Sequence, residues 1–363
     1  MCDNIDVLED EIEKISPQLL QILLKDNSTS RHYGRDVNII WATNDYESMG
    51  DGYHFTDEIK PELITGCNGL VIRPRARKSA EEQQRRITDK AEVFTPTWIC
   101  NKQNNLVDEA WFGRPDIFNT EKDNGGIHTW TTSSEKISFP ETKGHSWQDY
   151  VCAPRMEMAC GEAPYITSRY DATQCNKLIH VKNRVGFLDR KLRIVGENTT
   201  APDEWLIWAF NALHATYGFE WQGDNLLLAR EAVLYTFIEH FEAKFSTQLD
   251  ARTLENAAFI ISWNIWQMDG IKCVVPMSCD WAAPEDPITD CDEGGNLVTV
   301  MHKRICPACH KKNQIGHIGI KCIVAKWRNV TSKEPGRVRY IRDYYRYPNL
   351  QIPIKMNYGE KSF

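Results

Sequence analysis

The chain has no run of about 18 apolar residues, so nothing in it predicts a helical membrane span. A targeting signature is lacking too. Met1-Cys2-Asp3-Asn4 is acidic rather than basic-then-apolar, which predicts no secretion signal and a cytoplasmic protein of a bacterium or phage-infected cell. Excess positive charge is also missing: 43 Lys and Arg face 50 Asp and Glu, a net charge of −7. That excludes a general nucleic-acid glue, so any DNA contact must come from a local basic patch. There is no internal repeat and no low-complexity tract, which excludes solenoids and linker-like chains.

What is present fits a folded globular protein. At 363 residues the chain suits one large domain or two of ordinary size. Hydrophobic residues make up 42% and charged residues 26%, ordinary values for a globular protein. Twelve Trp suit either a core or a surface on which bases stack. Twelve scattered Cys read as reduced thiols plus one metal site.

Three regions are expected. Residues 1–84 form an N-terminal helical and mixed extension ending in a basic segment, 85–279 an α/β domain, and 280–363 a linker, a Cys/His module and a β-rich tail. Leu8, Ile12, Ile15, Leu19, Leu20, Leu23 and Leu24 recur at helical spacing around Pro17, predicting two short helices. Val37-Asn38-Ile39-Ile40-Trp41 predicts a strand. Between 72 and 90 the chain turns basic, with Arg73, Arg75, Arg77, Lys78, Arg85, Arg86 and Lys90. This is either a solvated helix face or a clamp on a phosphate backbone. Residues 119–147 read as a polar loop insertion and 280–300 as an acidic linker.

The chemistry is expected in four segments. Ala91-Glu92-Val93-Phe94-Thr95-Pro96 leads into a polar-aromatic helix through Trp98, Asn101, Asn104, Asn105 and Trp111. Glu157-Met158-Ala159-Cys160-Gly161 is an acidic strand end followed by a small turn, where a cofactor can lie against bare backbone N–H groups. Tyr217-Gly218-Phe219-Glu220 is a strand ending in a carboxylate placed to accept hydrogen bonds from ribose hydroxyls. Trp263 to Gly270 is another strand end, whose Asp269 suits an adenine amino group.

In this order the segments resemble the S-adenosylmethionine domain of the DNA adenine-N6 methyltransferases of restriction-modification systems, over roughly residues 85–275. Thr95, Pro96, Cys160, Gly161, Glu220, Ala229, Arg230 and Asp269 occupy matching positions. The resemblance implies a Rossmann-like doubly wound sheet, with Thr95, Pro96, Cys160, Gly161, Glu220 and Asp269 around S-adenosylmethionine. It also implies a base flipped out of double-stranded DNA, phage or modified DNA included, and a partner subunit in restriction or phage defence. The DNA-facing residues would be Arg73, Arg75, Arg77, Arg85, Arg86, Trp98, Asn101, Asn104 and Asn105. The chain departs from the pattern at Met158 and Ala163, where the family has Pro and Gly. The catalytic Asn/Asp-Pro-Pro-Tyr/Phe segment is absent after Asp269.

That absence leaves three functions open: methylation, hydrolysis of a base from its sugar by a DNA glycosylase, and DNA recognition by a catalytically dead subunit. Candidate catalytic acids are Asp108, Asp189, Asp224 and Asp269. Cys306-Pro307-Ala308-Cys309, with His317 and Cys322, has the spacing of a tetrahedral structural zinc site. Cys279, Cys291, His302 or His310 could replace His317.

Overall fold

The computed structural model describes residues 5–173, 177–281, 285–291, 297–303, 305–313, 316–327 and 343–345. The apolar periodicity before residue 25 forms two helices, Glu9–Ile15 and Pro17–Leu24. The break falls where Pro17 opens the second, and the Ser16 hydroxyl accepts the Gln18 N–H. A third helix, Asn27–Tyr33, is capped by the Asp26 carboxylate. The strand expected at 37–41 does not form. Its backbone is shared among several partners, so no single ladder builds. Ile39 N–H donates to Leu24, Ile39 C=O accepts from Ile59, and the Gln267 carboxamide brackets Ile40 at 3.0 and 2.8 Å.

The expected polar-aromatic helix runs Thr97–Phe112. The loop insertion is instead an antiparallel hairpin, β1 (Asn119–Asn124) and β2 (Ile127–Thr132), turning at Gly125-Gly126. Helix Trp147–Cys152 leads to β3 (Arg155–Met158). Helices Phe187–Asn198 and Pro202–His214 carry the chain to β4 (Thr216–Glu220). Helices Gly223–Phe245 and Ala251–Asn264 then carry it to β5 (Ile265–Gln267). These strands form a parallel sheet in the order β3-β4-β5, pairing Arg155 with Thr216 and Glu220 with Gln267. Parallel neighbours need long crossovers, and the helix pairs supply them.

One apolar core runs from Val7 in the N-terminal segment through the helices to Ile265. The other face of the sheet is covered differently. Phe219 of β4, with Trp266 and Met268, packs against Ile320 and Cys322 of the Cys/His region. The acidic stretch after 280 is not a linker but an antiparallel hairpin, β6 (Glu285–Cys291) and β7 (Leu297–Lys303). Of the expected β-rich tail, β8 (Val324–Lys326) pairs with β9 (Asp343–Tyr345); the rest lies outside the described residues. Among the described residues no helix is long and apolar enough to cross a membrane.

Candidate ligand cavity and metal centre

A cavity of about 720 Å³ opens at the C-terminal ends of β3 and β4. Three sequence segments meet there. The Cys160-Gly161 turn follows β3, Glu220 ends β4, and Glu92 to Thr95 comes in from the segment before helix Thr97–Phe112. The turn is built for close approach. Gly161 has φ +51°, and a Cβ there would stand 3.0 Å from Phe94 Cε1. Ala163 adopts the same left-handed region at φ +64°. Gly218 leaves room for Cys160 to cross β4, since a Cβ would stand 3.3 Å from its Sγ.

Glu220 locks the turn to the sheet. Its carboxylate accepts the N–H groups of Gly161 at 2.8 Å, Trp221 at 2.8 Å and Gln222 at 3.3 Å. Glu157, at the end of β3, accepts those of Tyr165 and Ile166 at 3.2 and 3.1 Å. Burial pushes both carboxyls above the usual range and the backbone N–H groups pull them back; Glu220 adds repulsion to Glu157. Burial, then these two acids, holds the Cys160 thiol neutral, so it is no nucleophile. No α-helix starts directly after the turn: among the described residues the next α-helix begins at Phe187, preceded by a short 3-10 turn at Val181–Asn183.

Behind the wall lies an ionic network around Arg86. Its guanidinium meets Glu92 at 2.7 Å, Asp224 at 2.8 Å and Asp45 at 3.1 Å. Burial raises the Asp224 carboxyl, but Arg86 and Lys78 outweigh it and take the pKa down to about 2.

The expected cofactor residues divide. Thr95, Cys160, Gly161 and Glu220 line the cavity; Pro96 caps helix Thr97–Phe112 beside it. Asp269 does not reach it: its carboxylate turns back to cap the N–H groups of Ile271 and Lys272, both at 3.0 Å. The catalytic candidates are held in structural pairings. Asp108 bridges Arg155 and Arg190 and accepts the Tyr150 hydroxyl. Asp189 takes the Ser168 N–H and faces His240 Nε2 at 3.1 Å, and Asp224 belongs to the Arg86 network.

The DNA-facing set breaks up as well. Arg75 and Arg86 are buried, which removes them from any phosphate clamp, while Arg73, Arg77 and Arg85 stay at the surface. Asn101 and Asn104 are buried and hydrogen-bond inside the protein, to Asn119, and to the carbonyls of Tyr165 and Val185. Asn105 bonds Asn119 and Glu121, and Trp98 stacks on His128 at 3.8 Å. Glu92, Glu157, Trp221 and Asn225 also line the cavity. All four lie inside or next to the segments singled out in the sequence, but only contacts from distant segments turn them inward.

The metal centre is more direct. The side chains of Cys279, Cys306, Cys309 and His317 gather with all four ligand atoms within 4.8 Å of one another, the one such group among the described residues. His317 Nδ1 stands 3.6, 3.7 and 3.4 Å from the three sulfurs. Bonds of about 2.3 Å to sulfur and 2.0–2.1 Å to nitrogen give a tetrahedral S···N edge of roughly 3.6 Å, so the set fits a zinc ion. His317 Nε2 lies 2.9 Å from the Asn313 carbonyl, which fixes the tautomer that leaves Nδ1 free to ligate. Four protein ligands leave no open position, as in structural sites. Cys322 is not a ligand: it is buried against the sheet, its thiol aimed at the Gln267 carbonyl. Cys279 replaces it and His317 stays. The side chains of Cys291 and His302 lie outside the described residues. All the described cysteines are free of disulfides.

Comparison with family models, with characterised proteins and with solved structures found no match to this chain.

Proposed function

We propose that the cavity binds S-adenosylmethionine and that the chain acts on bases of double-stranded DNA, in a restriction or phage-defence setting. The observation that carries this reading is the convergence of the Cys160-Gly161 turn, the Glu220 carboxylate and the Phe94-Thr95 segment on one hollow. Its volume suits a ligand of nucleoside size. The donor set fits too. A carboxylate has about four lone-pair sites, so Glu220 can hold three backbone N–H groups and still accept a ribose hydroxyl. Trp221 offers an aromatic wall for adenine. The order β3-β4-β5, with binding at the carboxyl ends of parallel strands, suits half of a Rossmann-like doubly wound sheet.

Bound S-adenosylmethionine would supply an electrophilic methyl group; the chain's residues would hold the adenosyl part and keep water out. Val93 and Met158, exposed at the rim, give apolar surface for a flipped base. Base excision is the second reading, favoured by Glu92 and Glu157 in the same wall, where carboxylates can stabilise positive charge developing on a sugar. One product assay separates the readings: S-adenosylmethionine with ordinary DNA and with hypermodified phage DNA. Methyl incorporation is the expected result. Alkali-labile abasic sites in its place establish excision, and binding with neither product establishes a recognition subunit.

A further inference from the structure

Charge is divided sharply along this chain. Residues 294–363 hold 14 Lys and Arg against 3 Asp and Glu, a net of +11, whereas residues 1–293 hold 29 against 47, a net of −18. Between 294 and 333 there are eight Lys and Arg and no acid at all. This basic stretch contains three of the four metal ligands, Cys306, Cys309 and His317.

The metal loop puts part of that charge on the surface in a fixed form. Lys311 and Lys312 are exposed, between the ligands Cys309 and His317. Backbone hydrogen bonds close the turn they occupy: Lys311 N–H to the Pro307 carbonyl at 3.1 Å, Lys312 N–H to Cys309 at 3.2 Å, and Asn313 N–H to Ala308 at 2.9 Å. The Asn313 carbonyl then meets His317 Nε2. Ile305 and Ile318, the residues just before Cys306 and just after His317, are exposed as well. Lys303 stands opposite Glu285 in the register of β6–β7 and is not counted with this surface. The module is fastened where the sheet ends at the cavity. Met268 N–H, just past β5, donates to the Glu220 carbonyl at 2.9 Å, and Val275 N–H donates to the Ile320 carbonyl at 2.8 Å.

An acidic chain that holds a polyanion needs a local basic patch. The segment 72–90 is a poor source of one: Arg75 and Arg86 are buried, and Arg73 and Arg85 pair with Glu82 and Asp45, each at 3.2 Å. We propose that Lys311 and Lys312 contact the phosphate backbone of double-stranded DNA, so that the metal loop is the docking surface that holds the duplex beside the cavity. The choice of a duplex as the polyanion rests on the proposed action on DNA; the adenosyl ligand plays no part in it.

Fluorescence anisotropy with a labelled duplex tests this on the full chain, with no nucleoside added. Lys311→Glu combined with Lys312→Glu is expected to weaken binding by about tenfold or more. The fall of log affinity with log salt is expected to become shallower by about two, for the counterions of two phosphates. Lys136→Glu combined with Lys143→Glu makes the same change in net charge at exposed positions outside the basic stretch, and is expected to bind like the wild type. Duplex binding untouched by the Lys311 and Lys312 changes, or weakened equally by the control, overturns the surface and leaves the DNA reading standing. No duplex binding by the wild type overturns both, and tighter binding of single-stranded DNA overturns the choice of partner. Elemental analysis of the double variant shows whether its metal loop is intact. A second measurement needs no variant: the wild type is acetylated with acetic anhydride, with and without duplex, and its lysines are followed by mass spectrometry. Protection of Lys311 and Lys312 but not of Lys136 and Lys143 is expected; equal labelling of Lys311 and Lys312 with and without DNA overturns the contact.

Discussion

Glu220 serves the fold and the cavity at once, because its carboxylate ties the Gly161 N–H of the turn to the Trp221 and Gln222 N–H groups that follow β4. In Glu220→Gln half of the acceptor becomes a donor, so one of those N–H groups loses its partner. S-adenosylmethionine affinity is expected to fall by about 1.5–3 kcal/mol, roughly 10- to 100-fold, by calorimetry. Unaltered affinity would show that the ligand does not sit against Glu220. Asp108 is the contrasting acid. Removing it in Asp108→Ala strands Arg155 and Arg190 inside the protein, and a urea melt is expected to show about 3–5 kcal/mol of lost stability. If Asp108 were catalytic, folded Asp108→Ala would bind ligand normally but lose turnover at unchanged stability. In the sequence these acids look alike. Glu220 is legible because it ends a strand whose own pattern is local, although the Gly161 it holds lies 59 residues away; nothing local marks Asp108, whose partners lie 47 and 82 residues away.

Among elements, those with a strong local signal are where the sequence puts them. The helices split at Pro17, helix Thr97–Phe112 after Thr95-Pro96, and the strand ending in Glu220 all follow from periodicity and breakers. The hairpin β1–β2 escapes such a reading because its strands carry polar, largely exposed residues with no apolar face to alternate. β6 has the same defect, an acidic sequence that pairs all the same. The metal centre was half legible. Cys306 and Cys309 sit on one turn, but the choice between Cys279 and Cys322 depends on how the chain folds back after β5. Cys322 N–H reaches the Cys273 carbonyl, and the residue is buried against the sheet while Cys279 faces His317. Elemental analysis is expected to find one zinc per chain in the wild type and in Cys322→Ser, and a loss in Cys279→Ser. Zinc retained by Cys279→Ser and lost by Cys322→Ser would reverse the assignment.

Across the whole molecule, the N-terminal helices share the central core rather than forming a unit of their own, and they bring buried acids with them. Burial, with Asp6 and Asp10 adding repulsion, pushes the Glu9 carboxyl from 4.5 up to about 8. Glu231, on helix Gly223–Phe245, is raised by burial and by Glu9. Raised acids make the folded chain hold more protons than the unfolded one. Their contribution is complete below about pH 4.5 and fades as the pH climbs through about 8. Thermal melts are expected to show stability falling across that window in the wild type and falling less in Glu9→Gln; parallel curves would refute the coupling. At this scale the sequence reveals least, since nothing local shows that Glu9 and Glu231 meet. The central claim is that the hollow at the ends of β3 and β4 holds an adenosyl ligand. Titrating S-adenosylmethionine into the wild-type chain in a calorimeter tests it most directly. The account predicts saturable binding of one ligand per chain, weakened in Glu220→Gln; no binding heat, or binding indifferent to that substitution, would contradict it.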